Sequence, residues 1–247
     1  MSTPTTTFEK LYTEFLIGAD PELMITKDGK HVRARNVFYP QDDFGCDGCD
    51  DVAEIRPGKA KSPLELTTRI HALLVLGHKI DNKMCFHAGS HVNGYPIGGH
   101  IHFATPANET ILNNLQILYE EFEKIVFCPA GLKERQKTGY GNPKTIRRKD
   151  YGFEYRTPAS WLLSPEITFV AICLAKIAVW NRRINITNKY LQSKLTIKEF
   201  LLNLEDFIEV PEDCKDYKKE LANIFDNNIT QESLNTDILV NWNIKEV

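Results

Sequence analysis

The sequence predicts an α+β protein, an antiparallel-rich β-sheet with helices packed on one face and the other face left open. Two observations predict it. Four separate segments place charged or ligating residues two positions apart with mostly apolar residues between them, the period of a strand with one solvated face. Long helical patterns with clear N-terminal caps separate those segments, which suits a sheet covered by helices on one side.

The elements follow in order. Residues 1–14 read as a loose tail, and strands and turns follow to about residue 60. "SPLELTTRIHALLVLG" opens a helix, with Ser62 as N-cap, Pro63 at the first helical position, Glu65 completing a capping box and Gly77 as its stop. Residues 84–104 return to strand. "TPANETILNNLQILYEEFEKIVF" is an amphipathic helix with Ile111, Leu115, Leu118, Phe122 and Ile125 on one stripe. Residues 129–150 read as a loop rich in Gly, Lys and Arg, followed by the strand "YGFEYRTP". A long apolar helix, capped at "SPE", runs to about residue 187 and is core. Residues 191–247 read as a polar helical extension, with a capping box from Thr196 to Glu199.

The totals are those of an ordinary globular chain. The 247 residues suffice for a sizeable core, with 42% hydrophobic and 26% charged residues. Thirty basic residues against 33 acidic ones give −3, so no global field calls for nucleic acid or a membrane surface. The N-terminus lacks a basic region followed by an apolar run, and the longest apolar stretch, "ITFVAICLA", falls short of the roughly 20 residues a membrane span needs. A cytoplasmic location is expected, with the six cysteines reduced. Cys46 and Cys49 form one CxxC, but a structural zinc needs two more ligands and no second CxxC exists.

The chemistry lies in the four alternating segments. "FLIGADPELMI" carries Asp20 and Glu22, "VAEIRP" carries Glu54 and Arg56, "GGHIHF" carries His100 and His102, and "YGFEYRTP" carries Glu154 and Arg156. On one sheet these eight side chains can share one face. A merely solvated face would carry Lys, Thr, Ser and Gln, whereas these are carboxylates, arginines and imidazoles. Gly98 and Gly99 precede the histidines, where a backbone can approach a ligand, and Pro21 and Pro57 point to an edge or a bulge. The four acids offer hard oxygen ligands suited to Mg²⁺ or Mn²⁺, and the arginines suit anionic oxygens. "GYGNPKT", residues 139–145, has the wrong spacing for a phosphate loop. Any ATP would therefore bind on the open sheet face.

"GADPE", "DVAEIRP", "GGHIH" and "YGFEYRTPASW", in that order, resemble the motifs of phage carboxylate–amine ligases, the type 2 amidoligases. These in turn resemble the catalytic fold of glutamine synthetase and glutamate–cysteine ligase. The resemblance covers about residues 15–190 and implies a catalytic domain there. It implies a curved sheet binding Mg–ATP on its concave face, and amide formation through an acyl phosphate. Glu22, Glu54 and Glu154 match metal-binding acids, with Asp20 beside them. His100 or His102 matches a histidine near the metal or the phosphates, and Arg156 matches a phosphate-binding arginine. Arg56 is expected to face anionic oxygens of nucleotide or substrate. Arg135 and Arg147 or Arg148 match a basic stretch that contacts phosphate or substrate.

Two rivals stand beside this. One is a metal hydrolase built on the HxH pair, active without ATP. The other is a non-catalytic phage protein whose sheet face binds a partner. The expected substrates are small-molecule or peptide carboxylates and amines, with a modified nucleobase still open.

Overall fold

The computed structural model describes residues 16–46, 48–234 and 237–246, so the expected tail at 1–14 lies outside the described residues. Its centre is β1 (Ile17–Lys27), eleven residues long. Around it stand β2 (Lys30–Val32), β3 (Phe44–Cys46), β4 (Ala53–Ile55), β5 (Lys59–Ala60) and β6 (Met84–His87). The short ribbon β7 (His91–Val92) and β8 (Tyr95–Pro96) precedes β9 (Gly99–Phe103), and β10 (Ile146–Lys149) and β11 (Gly152–Tyr155) complete the strands among the described residues. Nine of them form one open antiparallel sheet in the order β10-β11-β9-β1-β4-β3, with β2, β5 and β6 also paired to β1.

Alternation sorts the two faces. Ile17, Ala19, Leu23 and Ile25 of β1 join Ile55, Ile101, Phe103, Phe153 and Tyr155 in the main hydrophobic cluster. On that face pack α1 (Pro63–Ile80), α2 (Glu109–Val126) and α4 (Pro165–Trp180), with α3 (Pro129–Lys137) between the last two in sequence. The N-cap side chains bond as the sequence reads, but the expected Ser62–Glu65 capping box does not close, because Glu65 accepts from Lys61 N–H instead. The side chains of Ser62, Asn108 and Ser164 accept from the backbone N–H of Glu65, Ile111 and Ile167. Thr196 and Glu199 form a full capping box at α6 (Ile197–Leu202).

Several boundaries differ from expectation, each for a packing reason. Gly77 does not stop α1, which runs on to Ile80. A Cβ at 77 would lie 2.7 Å from the Phe44 ring, so glycine stands there to admit that ring. The loop expected at 129–150 holds α3 and β10; Pro129 sits in the first turn of α3, and good helix formers follow. The long apolar helix ends at Trp180, where the Asn181 side chain donates to the carbonyls of Ile177 and Glu209. Asn185 then caps a separate α5 (Ile186–Ser193).

Pro21 lies inside the central strand, at the last register position with β9 (Pro21 opposite Gly99). Pro57 sits in a bulge: between the pairs Glu22–Glu54 and Gly18–Lys59, Ala19, Asp20 and Pro21 face Ile55, Arg56, Pro57 and Gly58, one residue more. No break in the core marks residue 190. Phe200 and Leu221, the latter from α7 (Tyr217–Asp226), and Trp242, just after α8 (Ile238–Asn241), all belong to the main cluster.

Candidate active site

The strand register brings the four alternating pairs together. Across the sheet, Glu154 stands opposite His102, and His102 opposite Gly18, with Lys59 on the far side of Gly18. In the next row His100 stands opposite Asp20, and in the third Glu22 opposite Glu54. The even-numbered residues of β1 thus share a face with Glu54, His100, His102 and Glu154. Gly18 leaves bare backbone in the first row, and there a cleft of about 570 Å³ opens, lined by Asp20, Asp43, Arg56, Lys59, His102 and Tyr151 among others.

Beside the cleft this face is covered rather than open. Glu22, Glu54, His100 and Glu154 are each at most 6% exposed. Met24 on the same face is covered by Val52, Ile97 and the β7–β8 ribbon in a small separate apolar cluster. Over the acids lies Tyr140, whose hydroxyl donates to Glu22 Oε1 at 2.7 Å and lies 3.0 Å from His100 Nε2. Tyr151 brings its hydroxyl 2.5 Å from His102 Nδ1. Neither tyrosine was singled out in the sequence. For Tyr140 the available signal was "GYG", since both flanking glycines take positive φ, 79° and 77°.

Among the described residues two groups of side chains lie close enough to hold a cation: Asp20, His102 and Glu154, and Asp20, Glu54 and His100. His102 Nε2 is 2.9 Å from Asp20 Oδ1. His100 Nδ1 is 3.6 Å from Asp20 Oδ1 and 3.8 Å from Glu154 Oε1. Asp20 Oδ1 and His100 Nδ1 are buried without an aligned hydrogen-bond partner. Burial of that kind is costly for a carboxylate oxygen unless something positive completes it. Burial, reinforced by Arg156 and Arg135, holds the His100 imidazole well below the usual histidine range. The donor set, hard oxygens with two imidazoles, fits a divalent cation of the Mg²⁺ or Mn²⁺ kind.

The remaining residues divide by what already holds them. Glu22 accepts from Gly98 N–H at 2.6 Å with Oε2 and from Tyr140 with Oε1, so both oxygens are engaged within the protein. Glu154 pairs with Arg156, with Lys149 at 3.1 Å and with Arg147 at 3.4 Å. Burial alone would raise its carboxyl; Lys149, Arg156, His102 and Arg147 together bring it below the usual range. Arg56 is bonded through Nε to Glu54 at 2.5 Å, and Nη1 and Nη2 donate to the carbonyls of Asp42 and Cys46. Its guanidinium is braced against the β3–β4 corner while its edge lines the cleft.

Arg135 does not reach the site face as a free cation. It is 2% exposed and donates to the carbonyls of Ile97, Thr157 and Pro158 at 2.7–3.0 Å. Arg148 stands opposite Phe153, in the opposite phase to Arg147 and Glu154, and so points away from the acids. Gly98 and Gly99 serve packing rather than a ligand. A Cβ at 98 would lie 2.6 Å from His100 Nε2, and one at 99 would lie 2.4 Å from Trp161 Nε1. Cys46 is buried, Cys49 exposed and both are free thiols, and neither joins a metal-holding group among the described residues.

Comparison with known proteins bears on the family and the fold. No curated protein matches the chain. Among solved structures, a bifunctional glutathione synthetase from Pasteurella multocida has the same fold over 90% of this chain, with a TM-score of 0.52 and 10% identity. The match covers 48% of that protein, so this chain spans about half its length. Among the described residues no helix is long and apolar enough to cross a membrane. The family described as phage phiEco32-like COOH.NH2 ligase-type 2 matches residues 17–244, which take in every strand and helix described above, and the chain belongs to that family of carboxylate–amine ligases.

Proposed function

We propose that this ligase joins a carboxylate to an amine at the expense of ATP, through an acyl phosphate, with Mg²⁺ or Mn²⁺ held by Asp20, Glu54, His100, His102 and Glu154. The observation that carries this reading is the convergence of His100 Nδ1, buried without a hydrogen-bond partner, on Asp20 Oδ1 at 3.6 Å and Glu154 Oε1 at 3.8 Å, with His102 Nε2 2.9 Å from the same Asp20 oxygen. Glu22 stands in the next row of the same face, holding Tyr140 over the acids through Oε1 and Gly98 N–H through Oε2. The cleft over Gly18 would hold ATP, with Asp20 and His102 among its lining residues.

The reaction balances as two displacements. A carboxylate oxygen of the substrate attacks the γ-phosphorus and ADP leaves. The amine nitrogen then attacks the acyl carbon, phosphate leaves, and the amine gives up a proton. The metal, when bound, neutralises charge on the phosphates and polarises the transferring group. Arg156, Arg147 and Lys149 add cationic groups at the Glu154 end, and Arg147, 57% exposed, is free to swing toward an anion. Arg56, braced by Glu54 and two carbonyls, offers a fixed positive edge to the cleft rather than a mobile clamp. Amino acids or peptides are the favoured substrate class, in keeping with a fold neighbour named as a glutathione synthetase.

The hydrolase reading is weaker because each cation-holding group contains only one of the two histidines. Thermal melts with ATP, with and without Mg²⁺ or EDTA, followed by assay of ADP release against pooled amino acids and peptides, test the proposal. ATP is expected to raise the Tm only with metal present, and ADP to appear only with a carboxylate and an amine. Equal stabilisation in EDTA, or amide hydrolysis without ATP, would overturn it.

A further inference from the structure

We infer that Tyr140 is a positioning residue that fixes the tautomer of His100, turning its Nδ1 lone pair toward Asp20 and Glu154 and so making it a ligand. The inference rests on the reading of these residues as a metal site.

The argument is one of proton counting. A tyrosine hydroxyl has one proton to give. Glu22 Oε1, a carboxylate oxygen 2.7 Å away, can only accept, so the Tyr140 proton goes there. The 3.0 Å contact between Tyr140 Oη and His100 Nε2 must then run the other way, with Nε2–H donating to the hydroxyl oxygen. Among the described residues Nδ1 has no hydrogen-bond partner. Its nearest carboxylate oxygens lie 3.6 and 3.8 Å away, beyond hydrogen-bond range. With Nε2–H committed to Tyr140, Nδ1 is the ring atom left to offer its unshared pair toward the two carboxylates. Three electron-pair donors facing one another repel, and a cation between them removes the repulsion.

The tyrosine is itself held in place. The Arg135 guanidinium lies 4.9 Å from the ring centroid and is anchored to three backbone carbonyls. A Cβ at position 141 would lie 1.7 Å from Arg135 Nη1, so the backbone beside Tyr140 can pass only as glycine. Arg135, expected from the sequence to touch phosphate, instead acts as the pedestal of this tyrosine.

Two measurements on the full chain test the inference. Long-range ¹H–¹⁵N NMR of the metal-free protein, with His100 assigned by substitution, reports the tautomer directly. The Nε2–H form is expected in the wild type and a loss of that preference in Tyr140→Phe. Mn²⁺ titration followed by EPR of the free ion is expected to show binding at least about tenfold weaker in Tyr140→Phe, the usual range for removing an orienting partner being roughly 10- to 100-fold. The metal-free Tm is expected to fall by a few degrees as Glu22 Oε1 and His100 Nε2 lose a buried partner, while the ring and its contact with Arg135 keep the chain folded at the titration temperature. Wild-type His100 in the Nδ1–H form would overturn the inference whatever the variant does, and so would equal Mn²⁺ affinity in the two proteins. A wild type that takes up no Mn²⁺ yet keeps the Nε2–H form would instead sink the proposed metal site, leaving the tautomer assignment standing.

Discussion

Glu54, in the middle of β4, and Arg56, just past its end, show how one pair serves two purposes. Glu54 faces Glu22 across the register and Asp20 and His100 in a cation-holding group, while Arg56 clasps it from the cleft side. Glu54→Gln removes a ligand charge and relieves its repulsion with Glu22, at the cost of the bond to a part-exposed arginine. The net change in metal-free stability is expected to be within roughly 1 kcal/mol, a shift of about 2–4 °C in Tm. The Tm rise induced by Mg–ATP is expected to vanish, and differential scanning calorimetry with and without the nucleotide checks both statements. Arg135 is the contrasting case. Arg135→Met would strand three buried carbonyls, at roughly 1–3 kcal/mol each, so a loss of at least about 3 kcal/mol is expected in urea unfolding. A phosphate-binding arginine would show the reverse, normal stability with weakened ATP binding.

At the scale of elements, the helices obey their local signals until a neighbour intervenes. α1 begins where Ser62, Pro63 and Glu65 dictate, with Glu65 accepting from Lys61 N–H rather than from Ser62. It then passes through Gly77 because Phe44 occupies the space a side chain would need. In an exposed helix interior Gly→Ala stabilises by about 1 kcal/mol. Here Gly77→Ala is expected to destabilise by roughly 1–2 kcal/mol, since overpacking typically costs 1–3. Chemical denaturation decides the sign, and a stabilised variant would mean that the Phe44 ring yields freely. The bulge at Arg56–Pro57–Gly58 is the strand counterpart. One extra residue turns Arg56 out of the ladder and toward the carbonyls of Asp42 and Cys46.

At the scale of the molecule, the C-terminal residues are bolted to the sheet that carries the site. Trp242 Nε1 donates to Leu162 O, the adjacent Trp161 Nε1 donates to Gly99 O at the start of β9, and Asp237 accepts from Phe86 N–H in β6. Trp242→Ala is therefore expected to cost roughly 3–5 kcal/mol in a single unfolding transition that includes the site. A separate early transition, with the 16–190 region still folded and still binding Mg–ATP, would show that the last 57 residues are a detachable extension.

The sequence by itself determined the fold class and the shared face. A period of two cannot be satisfied by a helix, and side chains in one phase of paired strands must lie together, so Asp20, Glu54, His100, His102 and Glu154 converge as their spacing requires. Caps were equally legible, because they are settled within a few residues. What only the tertiary structure decided is which partner each polar group takes. Glu22 accepts from Gly98, Arg56 is bonded to Glu54, Arg135 donates to backbone carbonyls far away in the chain, and Glu154 is held by Arg156, Lys149 and Arg147. Tyr140 became visible for the same reason, since its partners Glu22 and His100 lie 118 and 40 positions away. Hydrogen-bond capacity is finite, and who uses it depends on three-dimensional neighbours that residue type and local spacing do not encode.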